Sequence, residues 1–226
     1  DINLMFYQPG ETEHNLPHDP FKSCVVPRPI GWISSLSING IANLAPFSQF
    51  QNLTFDPPYV MFAANQTTQG KRKDSVENAE QTNEFVWNLA TYDLREAVNI
   101  SGQEVHPDED EFDMAGVTKK KGNIVKAPMV SESPIHFECR YHMTLRLPGN
   151  GQMGTVNVVI GEVVGIHISN DALTDEGLID VLKIRPIARM GYFDYTSVET
   201  TFQMIIPGAN EELRMGMEGK QSAKTP

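Results

Sequence analysis

Apolar and polar positions alternate along much of this chain with the period of two that marks a half-buried strand. Ile33 to Ile38, Ile41 to Phe50, Tyr59 to Ala64 and Phe137 to Leu147 read as strands. Glu84 to Thr91 puts Phe85, Trp87 and Leu89 on one face. Thr155 to Ser169 is rich in Val and Ile, which are stiff at χ1 and suit a pleated surface better than a helix. Its two glycines, Gly161 and Gly165, suit bulges where a sheet curls. Ile187 to Tyr195 reads as a last strand. Asn39-Gly40 sits between two apolar runs and predicts a tight hairpin, because a type I′ turn needs positive φ at both positions. Asp56-Pro57-Pro58 forces another turn.

Helical signals are few and short. Asp74 with Glu77 resembles a capping box, Asp93 with Glu96 marks a second start, and Gly102 closes that helix. Residues 103–134 predict a short helix and loops, and Asp171 to Leu182 a further short helix. Six or seven strands with two or three short helices, and no βαβ alternation, favour a closed β-barrel over an open parallel sheet. Residues 1–20 are polar and read as an N-terminal arm, residues 21–206 as one domain, and residues 207–226 as a polar tail.

Charge narrows the partners. The 226 residues carry a formal net charge of −11. Such a surface repels a phosphate backbone, so nucleic acid is not an expected partner. No apolar run approaches the ~20 residues of a membrane helix. Cys24 and Cys139 lie in apolar contexts and read as two buried, reduced thiols, which with the absence of a leader-like start predicts a cytoplasmic protein.

Several catalytic patterns are missing or misplaced. Gly149, Gly151 and Gly154 spell GxGxxG, but a strand sequence follows where a dinucleotide fold needs a helix, so these residues predict a hairpin loop. The six histidines are scattered, and no metal site is expected. Two stretches stand out. Lys71-Arg72-Lys73-Asp74-Ser75 places three cations before a helix start in an acidic chain. That is either a phosphate cradle, built from cations, a hydroxyl and free N–H groups, or a solvated basic loop. Asn43-Leu44-Ala45-Pro46-Phe47-Ser48 is a strand broken by proline, whose unpaired backbone groups need partners. A flat polar-edged cofactor would satisfy them, and so would a bulge at a barrel rim.

Taken in order, these stretches resemble the FMN-binding split-barrel family of flavin reductase-like proteins, nearest the flavoredoxin and nitrilotriacetate monooxygenase component B branch. The residues that carry the resemblance run from Val26-Pro27-Arg28-Pro29-Ile30-Gly31-Trp32-Ile33-Ser34 through Asn39 to Ser48. They continue with Asp56-Pro57-Pro58, Lys73-Asp74-Ser75, Glu84 to Leu89, Phe137-Glu138-Cys139, Gly161 to Val164 and Arg185 to Tyr192. Ser75 stands where the family often has Thr, and Met190 where it often has Gly. The resemblance implies a mainly β, six-stranded Greek-key split barrel that forms a homodimer with FMN near the interface. It implies that Ile33, Ser34 and Ser35 line the flavin side. Asn43, Ala45, Pro46, Phe47 and Ser48 would meet the ring and ribityl chain. Arg72, Lys73 and Ser75 would hold the phosphate, with Arg189 and Tyr192 near the ring. It further implies an oxidoreductase passing electrons from NADH or NADPH through FMN to flavin, to a monooxygenase partner or to another acceptor. The alternative is a flavoredoxin-like electron carrier serving a redox partner protein.

Overall fold

A computed structural model describes residues 4–204 and 206–208. The strands, in chain order, are β1 (Arg28–Pro29), β2 (Gly31–Leu36), β3 (Ala42–Phe47), β4 (Phe50–Phe55), β5 (Pro58–Asn65), β6 (Glu84–Asn88), β7 (Lys119–Lys120), β8 (Met129–Val130), β9 (Ile135–Leu147), β10 (Val156–Ile168), β11 (Ile187–Gly191) and β12 (Asp194–Ser197). The helices are α1 (Asp74–Thr82), α2 (Arg95–Ile100), α3 (Glu111–Ala115) and α4 (Val181–Ile184).

One antiparallel sheet dominates, in the order β3-β2-β6-β9-β10-β5-β4. Its two outer strands are consecutive in the chain, joined only by Ser48 and Gln49, so the sheet curls back on itself. Ala42 to Phe55 therefore acts as one sharply bent strand, and on that count the barrel has the expected six. The non-sequential order also gives the expected Greek-key character. The bend at Ser48-Gln49 is where the single strand predicted over 41–50 breaks in two.

Aromatic rings fill the interior. Phe50 stacks on Trp87 at 5.3 Å, and Phe62 meets Phe85 edge-on at the same separation. Gly161 is required there: a Cβ would lie 2.5 Å from the Phe85 ring. The sheet register shifts at Gly161 and again before Gly165, as bulges in a curling sheet do. Helix α1 inserts Val76 and Ala79 into the same core, both without solvent exposure. A second core lies outside β2 and β3, where Trp32 and Leu44 pack on Val98 of α2, Phe112 of α3 and Ile187 of β11. The hairpin between β9 and β10 carries the three glycines of the GxGxxG pattern, and a Cβ on Gly149 would collide with Gly154 at 2.1 Å. These glycines serve backbone contact.

Four expectations need correction. Asp171 to Leu182 is not a helix. Gly177, at φ +79, turns the chain so that Leu173 bridges Ile179, leaving a 3-10 turn at Asn170–Ala172 and the single turn of α4. The strand predicted over 187–195 is a hairpin, reversed at Tyr192 with φ +50. Cys24 is exposed; only Cys139 is buried, and burial pushes its thiol upward. Asp74 does not cap α1; Lys73 occupies that position and Asp74 is the first helical residue. The predicted arm, 4–20 of it described, is mostly exposed, and the predicted tail lies almost wholly outside the described residues. No described helix is long and apolar enough to cross a membrane.

Candidate functional site

A cavity of about 410 Å³ opens between the start of α1, the strand β3 and the loop 101–107. Lys71, Arg72, Lys73 and Ser75 line one side. Among the described residues, the N–H groups of Asp74 and Ser75 find no acceptor, as expected for the first turn of a helix. These donors and the helix's positive end face the cavity and would suit an anion there. Two of the cations already have carboxylate partners. Arg72 pairs with Glu80, and Lys73 pairs with Glu104, which lines the same cavity. Burial raises the Asp74 carboxyl, against the opposing pull of Lys73 and His106.

The opposite wall is β3. It pairs with β2 alone, so its other edge keeps unpaired backbone carbonyls beside the cavity, while Pro46 has no N–H and the Leu44 N–H goes to Glu111. Asn43 sits at the centre of a buried polar chain. Its amide donates to Glu111 at 2.6 Å, and its carbonyl accepts from Ser75 Oγ at 2.8 Å. Glu111 also accepts from the Leu44 N–H at 3.2 Å. Behind Asn43, Asn78 donates to Ser35 Oγ at 3.1 Å. Burial raises the Glu111 carboxyl, with hydrogen bonds from the Leu44 N–H and Asn43 opposing. The loop that closes the cavity is tied down by Trp32, whose indole donates to Ser101 Oγ at 2.9 Å.

A second cavity, of about 460 Å³, shares Pro46 with the first. It collects Ser48, Arg189 and Tyr192. The thirteen residues expected at the cofactor thus divide three ways. Asn43, Ala45, Pro46, Phe47, Arg72, Lys73 and Ser75 meet in the first cavity. Ser48, Arg189 and Tyr192 lie in the second, across Pro46. Ile33, Ser34 and Ser35 line neither, and all three are fully buried. Ile33 packs in the barrel core, Ser34 bonds the Pro128 carbonyl, and Ser35 stands behind Asn43. Their side chains support the site from within. A third cavity, of about 840 Å³ beside Tyr92, Phe193 and residues 195–200, contains none of the thirteen.

Sequence reasoning missed Glu104 and Glu111. Both come from the stretch 103–134, read from sequence only as a short helix and loops. Only Asp110, which caps α3 through the Phe112 N–H at 3.0 Å, could have placed Glu111 at a helix start.

The residues present fit FMN. The cations, the Ser75 hydroxyl and the free helix N–H groups are a donor set for a phosphate dianion. The free edge of β3 offers backbone carbonyls to a ring with polar edges. Volume agrees with a small cofactor entering from solvent.

Comparison with known proteins bears on the same point. A profile of the flavin reductase like domain matches residues 23–190. A protein of Aquifex aeolicus, described only as uncharacterized, is 37% identical over 74% of this chain and 82% of its own length. Nitrilotriacetate monooxygenase component B from Bacillus cereus superposes with a TM-score of 0.81 at 25% identity, over 89% of this chain and 98% of that one. Flavoredoxin of Desulfovibrio vulgaris (Miyazaki F) shares the fold, with a TM-score of 0.69 at 17% identity over 81% of this chain and 93% of its own. With the profile covering most of the chain, a 37% identical relative and the barrel in place, this protein belongs to the flavin reductase-like family of FMN-binding split barrels.

Proposed function

We propose that this protein is an oxidoreductase that carries electrons from NADH or NADPH through FMN to free flavin or another acceptor. The observation that carries this reading is the meeting, in one cavity, of a basic loop, a helix start, the Ser75 hydroxyl and the free edge of β3. FMN supplies the electron chemistry when bound; the chain supplies position and electrostatics. Lys71, Arg72, Lys73 and Ser75 hold the phosphate. Ser75 turns its hydroxyl from Asn43 to do so. Asn43 stays in place because Glu111 holds its amide nitrogen. Ala45, Pro46 and Phe47 offer the ring a backbone edge and an apolar wall. No residue is assigned as general acid or base.

The same reading includes a homodimer. Met143, Leu145 and Leu147 of β9 lie directly across from Ile160, Val158 and Val156 of β10, which in turn pair with Met61, Ala63 and Asn65 of β5. Directly paired residues share a face, so these side chains form an apolar surface broken only by Asn65. The β9 residues on it are about half exposed. A second copy is the natural cover for such a face. β5 leads from it straight into the basic loop, which would put the flavin cavity at the edge of the interface.

A flavoredoxin-like carrier is the second reading, favoured by the net charge of −11, which suits docking to a basic redox protein. An anaerobic absorption titration separates the two. The purified protein receives FMN, then NADH or NADPH. Rapid bleaching of protein-bound flavin bands by a nicotinamide supports the reductase. Bands that persist until a reduced redox protein is added point to the carrier. A protein that binds no FMN refutes both.

A further inference from the structure

We propose that Arg28 and Arg189 form an oxyanion site for the reactant that meets the flavin, gripping the carboxylate or phosphate of a planar aromatic compound. This rests on the flavin reading above. In the small sheet, β1 pairs with β11 so that Arg28 stands directly opposite Arg189. Opposed residues of an antiparallel pair lie on one face with Cβ atoms about 4.5–5.5 Å apart, and like charges so placed repel. Among the described residues, neither arginine forms an ion pair with a carboxylate. The chain has 29 acidic residues, so acids are not scarce. Asp19 shares the cavity, yet its carboxylate accepts from the Phe21 N–H at 2.9 Å.

Both guanidinium groups are steadied by carbonyls. Arg28 donates to the carbonyls of Lys22 and Val25, the latter at 2.9 Å. Arg189 donates to the Tyr192 carbonyl and lies 4.7 Å above the Tyr195 ring. Each fork keeps further N–H donors. Arg28 Nε and Ser23 Oγ, shielded from solvent in the same wall, have no hydrogen-bond partner. Lys22 adds a third cation, and Phe21, Tyr192 and Tyr195 add exposed aromatic surface. A cavity of about 460 Å³ with cations at one place and rings around it suits a planar anion. Pro46 is the wall this cavity shares with the flavin cavity, so a compound held by the arginines lies next to the cofactor. The two anion sites stay separate: one belongs to Lys71–Ser75, the other to the arginine pair.

Isothermal titration of the full-length protein saturated with FMN tests this. The probes are benzoate against neutral benzamide, and nicotinamide mononucleotide against neutral nicotinamide riboside. At least one anion should bind about tenfold or more tightly than its neutral counterpart. A preference within the first pair identifies a carboxylate, and within the second a phosphate. R189Q should lose that preference, and thermal melting checks that the variant still folds, because relief of the like-charge contact offsets the lost bond to the Tyr192 carbonyl and the lost contact with the Tyr195 ring. R28Q removes two carbonyl bonds, to Lys22 and Val25, where R189Q removes one, so R189Q carries the test. Equal binding of charged and neutral probes overturns the proposal, as does an unchanged preference in R189Q. Loss of FMN affinity in R189Q as large as the loss of anion affinity also overturns it, because the pair would then serve the flavin. If wild type takes up no FMN, the flavin reading fails, and the same titrations on flavin-free protein still decide the arginine pair.

Discussion

Lys73 is the residue on which the phosphate assignment turns, and its ion pair with Glu104 makes the assignment testable in both directions. Lys73→Ala removes a charge-assisted contact worth about 1.5–3 kcal/mol. FMN affinity should fall roughly ten- to a hundredfold. Riboflavin, which lacks the phosphate, should bind as before. Glu104→Gln should act oppositely. It frees Lys73 from a partly exposed pair, which is worth at most about 1 kcal/mol, so FMN should bind up to about fivefold tighter. That gain should shrink as salt screens the site. Fluorescence titrations with FMN and riboflavin at low and high ionic strength measure all of this. Equal weakening of both ligands by Lys73→Ala would remove Lys73 from the phosphate. The sequence brought Lys73 forward because three cations in an acidic chain stand out. It kept Glu104 hidden because the pair spans 31 positions and the acid's own neighbourhood looks like surface.

At the scale of elements, a single buried carboxylate fastens the loop over residues 122–127 to β9. Glu138 accepts from the N–H groups of Asn123, Ile124 and Val125 at 2.7–2.9 Å, and His167 Nε2 lies 2.6 Å away. Burial alone would push this carboxyl up. The bonds from Val125, His167, Asn123 and Ile124 outweigh that and hold it at about 2. A carboxyl depressed on folding stabilises the folded state above its ordinary value near 4.5, and that stability is lost as pH falls toward 2. The shift corresponds to about 3 kcal/mol at most. Glu138→Gln should therefore lower the melting temperature at pH 7 and flatten the loss of stability between pH 4.5 and 2. Thermal melts across that range measure it. An acid limb identical in the two proteins would mean that other carboxylates govern it. Glu138 was legible only as part of a strand. Nothing in Phe137-Glu138-Cys139 says that the glutamate points inward, because its partners lie 13–29 residues away. Strand order was similarly closed to sequence. Alternation located β2, β5, β6, β9 and β10, since pairing on a half-buried sheet leaves that trace. The turns at Ser48-Gln49 and Tyr192-Phe193 were harder to read: neither central pair holds the Gly or Asn-Gly that made the Asn39-Gly40 hairpin readable. The site residues from 43 to 48 and 71 to 75 were legible as separate pieces. That two cavities divide them follows from the bend of β3 into β4, a tertiary fact.

For the whole molecule, the apolar face on β9, β10 and β5 decides whether the barrel works alone. A chain with net charge −11 repels its own copies at long range, so association needs a surface where charge is absent. Met143, Leu145 and Leu147, facing Ile160, Val158 and Val156, supply one. Under twofold symmetry a substitution there counts twice. Leu145→Glu removes an apolar side chain worth about 1.5–3 kcal/mol when buried, and it does so in both copies. Dimer affinity should fall by at least about a hundredfold, before the cost of burying two carboxylates is added. Sedimentation velocity at micromolar protein should show wild-type dimers and Leu145→Glu monomers. The monomer should keep its barrel, because Leu145 points away from the Phe62 and Phe85 core and is half exposed already. FMN affinity should drop in that monomer, since β5 runs from the apolar face into Lys71–Lys73, and the partner would cover that end of the cavity. A wild type that sediments as a monomer, or a Leu145→Glu variant that stays dimeric, would assign the face to something other than a second copy. A monomer that binds FMN as tightly as the dimer would keep the interface and move the cavity away from it.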